Sequence, residues 1–525
     1  MKIVRHLFHW LRDRPWLATM LWVIPAALLP AVPIDETRYL SIAWEMRRSG
    51  DAIGLTLNGH PYMDKSPLLF WLINVAWTLL GVSTTAARTV SIAFAAASVA
   101  AVTAIARQFG HADPASAGWM LLPFVIFGTF APIAMFDMPL VCFVALGILG
   151  LVWWVKGRRV QGALLFVVAA IFGLLAKGPV YLLHMLGPVV LLRWWHGAPI
   201  ERPWRLAASI AGCMVLACIP LALWAITNAA RFPDVPILHT LTHQSMGRVA
   251  HSFAHRRPVY WYLPWVIPFL FPWSFLVRWR GVGANLACAL GGGEGRLGVA
   301  ATLPALIAFS LISGKQIHYL LPLLPGAALL GVAMVEHGVT PFSFGRVRLL
   351  LAAVALAWAW PVANAAVGMP GNAHWYVAAL VTSALLGLGA LATRGITSHT
   401  EGDQLRVAAF AGLMAIAAVV LLVGVHVKAH MDPGELADAV KAFQRRGIVV
   451  AAVDDEPGMV TYLARLPRPL PRIVDNPTWV RAHPDGRALV HAGQGAPPSF
   501  VESPILLADG WEGLVPAPHL NEVHP

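Results

Sequence analysis

Long apolar runs separated by short polar segments make up most of this chain of 525 residues. A helix needs about 20 mostly apolar residues to cross a hydrocarbon core, and the pattern predicts about thirteen such spans. The predicted fold is therefore that of an α-helical polytopic membrane protein. We expect spans near 16–33, 86–107, 115–134, 138–156, 160–176, 179–194, 205–227, 259–278, 297–313, 317–336, 346–366, 373–393 and 406–427.

The segment 34–85 interrupts this pattern directly after the first span. Residues from Leu40 to Arg48 have helical spacing, and the apolar stretch from Ser66 to Leu80 is too short to cross a bilayer. We expect both to be helices that lie along the membrane surface. Residues 1–427 are thus predicted to form a transmembrane domain with 34–85 as its outer loop.

The last segment, 428–525, is predicted to be a small α/β domain. Pro433 to Arg446 carries acids early and bases late, which suits a helix dipole. The run from Ile448 to Val453 reads as a buried strand and Ala488 to Val490 as a second one, while Met459 to Leu463 suggests a short helix.

Composition agrees with a membrane protein, because 58% of the residues are hydrophobic and only 12% are charged. The net charge of +12 lies in the membrane part, since 428–525 has 9 Lys and Arg against 12 Asp and Glu. These bases are scattered through short loops and form no stripe, which argues against nucleic-acid binding. The four cysteines have no metal-ligand spacing and are assigned no redox role.

The basic loops also predict orientation, because cytoplasmic loops carry an excess of Lys and Arg. With a cytoplasmic N-terminus and an odd number of spans, 34–85 and 428–525 both lie on the outer side. The bases that then fall inside are Lys2, Arg5, Arg12, Arg14, Lys156, Arg158, Arg159, Arg193, Arg202, Arg205, Arg278, Arg280, Arg346 and Arg348.

Three acids are candidates for catalysis on the outer side. Asp35 and Glu36 follow the first span, and Asp137 stands between two apolar spans. Carboxylates at one face can take a proton from an acceptor hydroxyl or stabilise charge at a sugar carbon. The alternative is that Asp35 and Asp137 cap the helices that follow them.

Cations accompany these acids on the same face: Lys65, Lys177, Lys315, Arg248 and the pair Arg256–Arg257. Any single lysine there can simply reach the lipid headgroups. Several cations beside acids better suit a phosphate leaving group, whose charge they would stabilise.

A histidine-rich loop contains His239, His243, His251 and His255. The four-residue spacings place two imidazoles on one helical face, as a metal site requires. A divalent metal held by Asp64 and His255 is one interpretation, and solvated loop histidines are the other.

The first outer loop contains the stretches Asp35-Glu36-Thr37-Arg38-Tyr39 and Tyr62-Met63-Asp64-Lys65-Ser66-Pro67-Leu68. They resemble the Asp-Glu-x-Arg-Tyr and Tyr-x-Glu-Lys-Pro-Pro-Leu patterns of ArnT-like lipid-linked-sugar glycosyltransferases, which are related to the protein O-mannosyltransferases. Asp64 stands in place of Glu and Ser66 in place of the first Pro, and further motifs follow in the family's order. The other matching stretches are Asp137-Met138-Pro139-Leu140, Leu175-Ala176-Lys177-Gly178-Pro179, His255-x-x-Pro258 with Tyr260-Trp261-Tyr262, Pro272-Trp273, and Ser313-Gly314-Lys315 with Tyr319-Leu320-Leu321-Pro322.

This resemblance implies a C-type glycosyltransferase fold, an outer-face active site and a polyprenyl-phosphate-sugar donor. Asp35 becomes the leading catalytic carboxylate, with Asp137 as a second acid and Glu36 beside it. The residues that the motifs imply for substrate binding are Arg38, Tyr39, Lys65, Lys177, Arg248, Lys315 and Tyr319.

The predicted function is transfer of a sugar from undecaprenyl phosphate to a lipid A-like or other envelope acceptor at the periplasmic face of a bacterial inner membrane. A protein O-glycosyltransferase of the same fold is one alternative. A lipid-sugar flippase is another, although such proteins usually contain paired half-sequences and none is visible here. A structural membrane protein with a ligand-binding outer domain is the third.

Overall fold

The computed structural model describes residues 11–233, 257–277, 279–336, 342–366, 373–394, 401–453, 456–493, 495–507 and 510–523. Helices dominate up to residue 445. They are α1 (Val23–Leu28), α2 (Asp35–Ser49), α3 (Leu68–Leu80), α4 (Thr84–Gln108), α5 (Ala115–Leu121), α6 (Val125–Phe130), α7 (Asp137–Val155), α8 (Arg159–Lys177), α9 (Val180–Val190), α10 (Leu192–His196), α11 (Pro203–Ala230), α12 (Val266–Phe269), α13 (Trp273–Leu276), α14 (Val282–Gly291), α15 (Gly293–Leu311), α16 (Leu324–Glu336), α17 (Phe344–Ala366), α18 (Ala373–Arg394), α19 (Glu401–His430) and α20 (Pro433–Arg445).

Seven helical segments among the described residues are long and apolar enough to cross a membrane. Several shorter apolar helices, such as α9 and α14, accompany them. The chain is a multi-pass membrane protein, as predicted. The seven segments are Thr84–Gln108, Asp137–Val155, Arg159–Lys177, Pro203–Ala230, Gly293–Leu311, Ile317–Val335 and Asp403–Arg445.

Five of the predicted spans are not single α-helices. The span predicted at 179–194 is divided into α9 and α10, and the span at 317–336 is a 3₁₀ segment, Ile317–Leu323, followed by α16. The span predicted at 16–33 is a 3₁₀ segment, Pro15–Trp22, followed by α1, and the span at 115–134 is divided into α5 and α6. The span at 259–278 contains a 3₁₀ segment, Val259–Trp265, and the short helices α12 and α13. Proline explains these breaks, because it lacks the N–H that a helix interior needs and clashes with the preceding turn.

The outer loop 34–85 contains α2, a short antiparallel hairpin of β1 (Thr56–Leu57) and β2 (His60–Pro61), and α3. Both predicted helices are therefore present, and α2 ends at Gly50 in a left-handed conformation. Leu79 and Leu80 at the end of α3 are exposed, which suits a helix at a membrane surface.

The C-terminal segment forms a sheet in the order β3-β4-β6-β5, in which β3 and β4 are parallel and the other pairs are antiparallel. Successive residues of β4 face different cores, with Leu489 on the α20 side and Val490 on the other. The elements are β3 (Val450–Ala452), α21 (Asn476–Ala482), β4 (Arg487–Ala492), β5 (Glu502–Leu507), β6 (Gly510–Pro516), the 3₁₀ segment Ala517–His519 and α22 (Leu520–Val523).

Residues 456–466, which we name the docking segment, connect this C-terminal part to the outer loop. Ser41 donates a hydrogen bond to the Gly458 carbonyl at 2.7 Å, and the Trp44 indole donates to the Leu466 carbonyl at 2.9 Å. The rings of Trp77 and Tyr462 stack at 5.2 Å. The helix predicted at Met459 to Leu463 is wrong: these residues form turns whose polar groups bond to α2.

Candidate active site

A buried ion pair stands where two spans meet. Asp137 is the first residue of α7, Lys177 is the last residue of α8, and the Lys177 ammonium lies 2.5 Å from the Asp137 carboxylate. The chain leaves α8 through Gly178, whose φ of +65° favours glycine. Two residues that the sequence placed on the same face are thus in direct contact.

Tyr39 connects this pair to Asp35. Its hydroxyl donates to the Asp35 carboxylate at 3.3 Å, and its ring packs edge-to-face against Phe136, the residue before Asp137, at 4.8 Å. Burial, followed by the nearby charge of Asp35, raises the pKa of Tyr39 well above its ordinary value. Tyr39 is therefore a neutral donor that orients Asp35 at physiological pH.

Asp35 itself begins α2, and its side chain is 40% exposed, so a substrate can reach it. Arg38 lies one helical turn along, with its guanidinium 3.8 Å from the carboxylate. Arg38 also donates to the Pro457 carbonyl at 3.1 Å, so the docking segment holds it beside Asp35.

Further charged and aromatic groups surround these residues. The Lys65 ammonium lies 5.7 Å from the centroid of the Tyr39 ring, and the Lys177 ammonium lies 4.9 Å from that of Tyr319. His318 is close enough to Asp35, Asp137 and Lys65 to interact electrostatically with each. The two acids and the two lysines therefore share one polar region.

Glu36 differs sharply from Asp35, its neighbour in sequence. Its side chain is fully buried and pairs with Arg88 at 2.6 Å. Its two oxygens also accept from the backbone amides of Val32 and Ala134, both at 2.8 Å. A carboxylate with these four partners has no oxygen left for a substrate, so the geometry does not support Glu36 as a catalytic acid.

Lys315 also has a different environment from the one predicted. Its ammonium is buried and donates to the backbone carbonyls of Arg257 and Ile312. These bonds join two segments of the chain, and they account for the burial of the lysine without a phosphate.

The predicted metal ligands are not brought together in the part of the chain that the structure describes. There, no group of three or more His, Cys, Asp or Glu side chains is placed to hold a metal ion. Asp64 is described, whereas His255 and Arg248 lie outside the described residues. Their roles as metal ligand and phosphate contact stay predictions.

Two residues were missed by the sequence interpretation. His318 lies between Lys315 and Tyr319 in the matched stretch, and no sequence pattern distinguishes it from a solvated histidine. Arg88 could have been found, because an arginine inside the apolar run 86–107 requires a buried partner.

Comparisons with known proteins agree with this architecture. Residues 64–225 match the family model described as dolichyl-phosphate-mannose-protein mannosyltransferase. The structure of ArnT from Cupriavidus metallidurans bound to undecaprenyl phosphate superimposes with a TM-score of 0.72, covering 97% of this chain and 98% of that chain at 18% identity. The chain is thus a polytopic membrane protein with the fold of ArnT.

Curated relatives make the resemblance more specific. An undecaprenyl phosphate-alpha-4-amino-4-deoxy-L-arabinose arabinosyl transferase of Pseudomonas aeruginosa (strain UCBPP-PA14) is 30% identical over 350 residues, which are 62% of this chain and 60% of that protein. The enzyme of the same name from Edwardsiella ictaluri is 26% identical over 58% of this chain and 55% of its own length. The chain therefore covers less than two thirds of these relatives, and its similarity to ArnT-like lipid-linked-sugar glycosyltransferases is confirmed.

Proposed function

We propose that this protein is a glycosyltransferase that moves a sugar from an undecaprenyl-phosphate-linked donor to a lipid A-like acceptor. The observation that carries the proposal is the placement of an accessible carboxylate, Asp35, in one polar region with Lys65 and the Asp137–Lys177 pair. The names of the curated relatives support the donor class.

The cations suit the departing group. When the bond between sugar and phosphate breaks, negative charge develops on the phosphate oxygen, and Lys177 and Lys65 stabilise this charge. Asp137 orients Lys177 through their 2.5 Å contact. The Lys65 ammonium lies over the ring of Tyr39 and the Lys177 ammonium over the ring of Tyr319, so each makes a cation–π contact.

Asp35 acts on the acceptor. Its carboxylate takes the proton of an acceptor hydroxyl, while Tyr39 and Arg38 hold it in place. If the acceptor group is itself a phosphate, no proton needs to be removed, and Asp35 then acts by orienting the acceptor.

The bacterial inner membrane is the proposed location, with the site on the periplasmic face. The basic loops support this orientation, because it leaves Arg158, Arg193 and Arg202 on the cytoplasmic side. It also places the C-terminal sheet outside the cytoplasm, where the docking segment contacts the outer loop.

A protein acceptor is the second candidate, because the matching family model is described as a protein mannosyltransferase. Mass spectrometry of lipid A, other envelope lipids and secreted glycoproteins, with and without this protein, separates the two. Loss of a lipid A sugar supports the first proposal, and loss of a protein glycan supports the second. Membranes containing Asp35→Asn and Lys177→Ala complete the test, since wild-type transfer in both would contradict either version.

A further inference from the structure

Arg88 is buried in the first turns of α4 and binds Glu36 with two parallel hydrogen bonds. Its Nε donates to one carboxylate oxygen at 2.8 Å and a terminal nitrogen donates to the other at 2.6 Å. Neither side chain is exposed to solvent. Such a bidentate pair fixes the relative orientation of both groups as well as their distance.

The remaining donors of Arg88 bind the last turn of α1 and the residues that follow it. They reach the carbonyls of Ala26 at 2.9 Å, Leu29 at 2.8 Å and Pro30 at 2.7 Å. An arginine has five N–H donors, and here every one has an acceptor. Because α1 ends at Leu28, the Ala26 carbonyl lies in the last turn of α1, where helix carbonyls lack intrahelical partners, and Arg88 supplies a donor for it.

The same ion pair also reaches the start of α7. One Glu36 oxygen accepts from the Ala134 amide at 2.8 Å, and Ala134 lies three residues before Asp137. Asp35 is the residue immediately before Glu36. The pair therefore joins the two segments that carry the site's acids to the end of α1.

Burial of an ion pair is a weak source of stability, because the loss of hydration offsets most of the attraction. A fixed geometry is what such a pair supplies. We infer that Arg88 and Glu36 are positioning residues that set Asp35 relative to Asp137 and Lys177. This inference rests on the proposed function, in which Asp35 acts on the acceptor.

The test uses full-length protein in liposomes, with undecaprenyl-phosphate-linked 4-amino-4-deoxy-L-arabinose as donor and lipid A as acceptor. The double variant Glu36→Leu with Arg88→Met replaces the pair by apolar groups without leaving a buried charge. We expect kcat to fall on the order of 100-fold, since a displacement of about 1 Å has that effect. The KM for the donor should change less than about threefold, because Lys65 and Lys177 are untouched.

Single variants keep the test decisive if the double variant does not fold. Arg88→Lys keeps the positive charge but has three donors in place of five, so we expect kcat to fall there also. Glu36→Gln keeps the shape but turns an amide toward the guanidinium, and we expect a smaller loss. Full kcat in folded Arg88→Lys and Glu36→Gln would overturn the inference.

Arg406→Met is the matched control, because Arg406 is also buried and paired with acids but contacts Asp113 and Asp403 at the other end of α4. It should lower the melting temperature and leave kcat unchanged. Asp35→Asn, assayed alongside, distinguishes a failure of the proposed function from a failure of the positioning role. Wild-type turnover in Asp35→Asn contradicts the proposed function, whereas an inactive Asp35→Asn beside a fully active double variant contradicts the positioning role alone.

Discussion

A buried arginine side chain lies at each end of α4, Arg88 from α4 itself and Arg406 from α19, and these two arginines have different surroundings. Arg88 lies near the first turn, and Arg406 binds Asp113, which follows the last turn. The ends of this helix of 25 residues are about 37 Å apart, because a helix rises about 1.5 Å per residue. All five donors of Arg88 are bonded, whereas within the described chain the Nε of Arg406 has no partner.

The acids that pair with these arginines differ as well. Glu36 is fully buried, while the side chains of Asp113 and Asp403 are 26% and 23% exposed. Candidate catalytic groups lie only beside Glu36 in the part of the chain described. Both arginine side chains are buried and paired with acids, so the neighbouring segments decide whether an arginine affects chemistry or only stability.

The largest expected effect comes from replacing Asp35, the acid that Arg88 and Glu36 position. Asp35→Asn should reduce sugar transfer by about 10²–10⁴-fold, the usual contribution of a general base. Transfer of labelled sugar by membranes at saturating donor measures it. Asp51→Asn is the control in the same loop, because asparagine can still accept from the Ile53 and Gly54 amides. Equal losses in both variants would contradict a specific role for Asp35.

The second effect concerns Lys177. Lys177→Met should lower kcat by about 10²–10³-fold through the loss of charge at the leaving phosphate. It should also destabilise the protein by about 3–5 kcal/mol, because Asp137 is left buried without its partner.

Adding Asp137→Leu to Lys177→Met separates these two effects. The double variant should recover stability in thermal unfolding but not turnover. Recovery of both would show that the pair serves stability alone, like Arg406 at the other end of α4.

The third effect tests how the docking segment holds Arg38. Gly458 has a φ of +92°, and a Cβ there would lie 2.9 Å from the Arg38 Cα. Gly458→Ala should cost about 1–2 kcal/mol of backbone strain plus the displacement of Arg38, and should raise the acceptor KM. Gly447→Ala is the matched control, because its φ is +76° and a Cβ there meets nothing within 4 Å. An unchanged KM in Gly458→Ala would remove the docking segment from substrate binding.

The smallest effect is a pH dependence of stability at Glu456. Burial raises the pKa of this carboxyl above its ordinary value of 4.5, against the backbone amides of Val460 and Met459 that lower it. The folded protein therefore holds this proton more tightly than the unfolded chain. Its contribution is present below pH 4.5 and is lost as the pH rises through the folded pKa.

Glu456→Gln removes that dependence. Melting temperatures of wild type and variant, measured between about pH 4.5 and 8, should diverge in favour of the variant as the pH rises. Parallel curves would show that the Glu456 carboxyl keeps its ordinary pKa in the folded protein.

The sequence predicted those features that depend on local pattern. The apolar runs predicted the long spans, and the charge order of Pro433 to Arg446 predicted α20. The topology predicted from the basic loops placed Asp137 and Lys177 on one face, where they form an ion pair. Proline positions explain why some spans are broken, and hydropathy alone does not register the missing N–H of a proline.

Contacts between distant segments could not be predicted in this way. Glu36 stands next to Asp35 in the motif, which favoured a shared catalytic role, but its partner Arg88 is 52 residues away. No periodicity links the two. Likewise, the turns of the docking segment depend on bonds to Ser41 and Asn58, which lie about 400 residues earlier in the sequence.

The most direct test of the account is transfer by the purified protein in liposomes that contain an undecaprenyl-phosphate-linked aminoarabinose donor and lipid A. Mass spectrometry follows both products, free undecaprenyl phosphate and sugar-modified lipid A. The account predicts that they form in equal amounts with wild type and fall to background with Asp35→Asn. Absence of donor cleavage by folded wild type with every donor and acceptor offered, or undiminished transfer by Asp35→Asn, would contradict it.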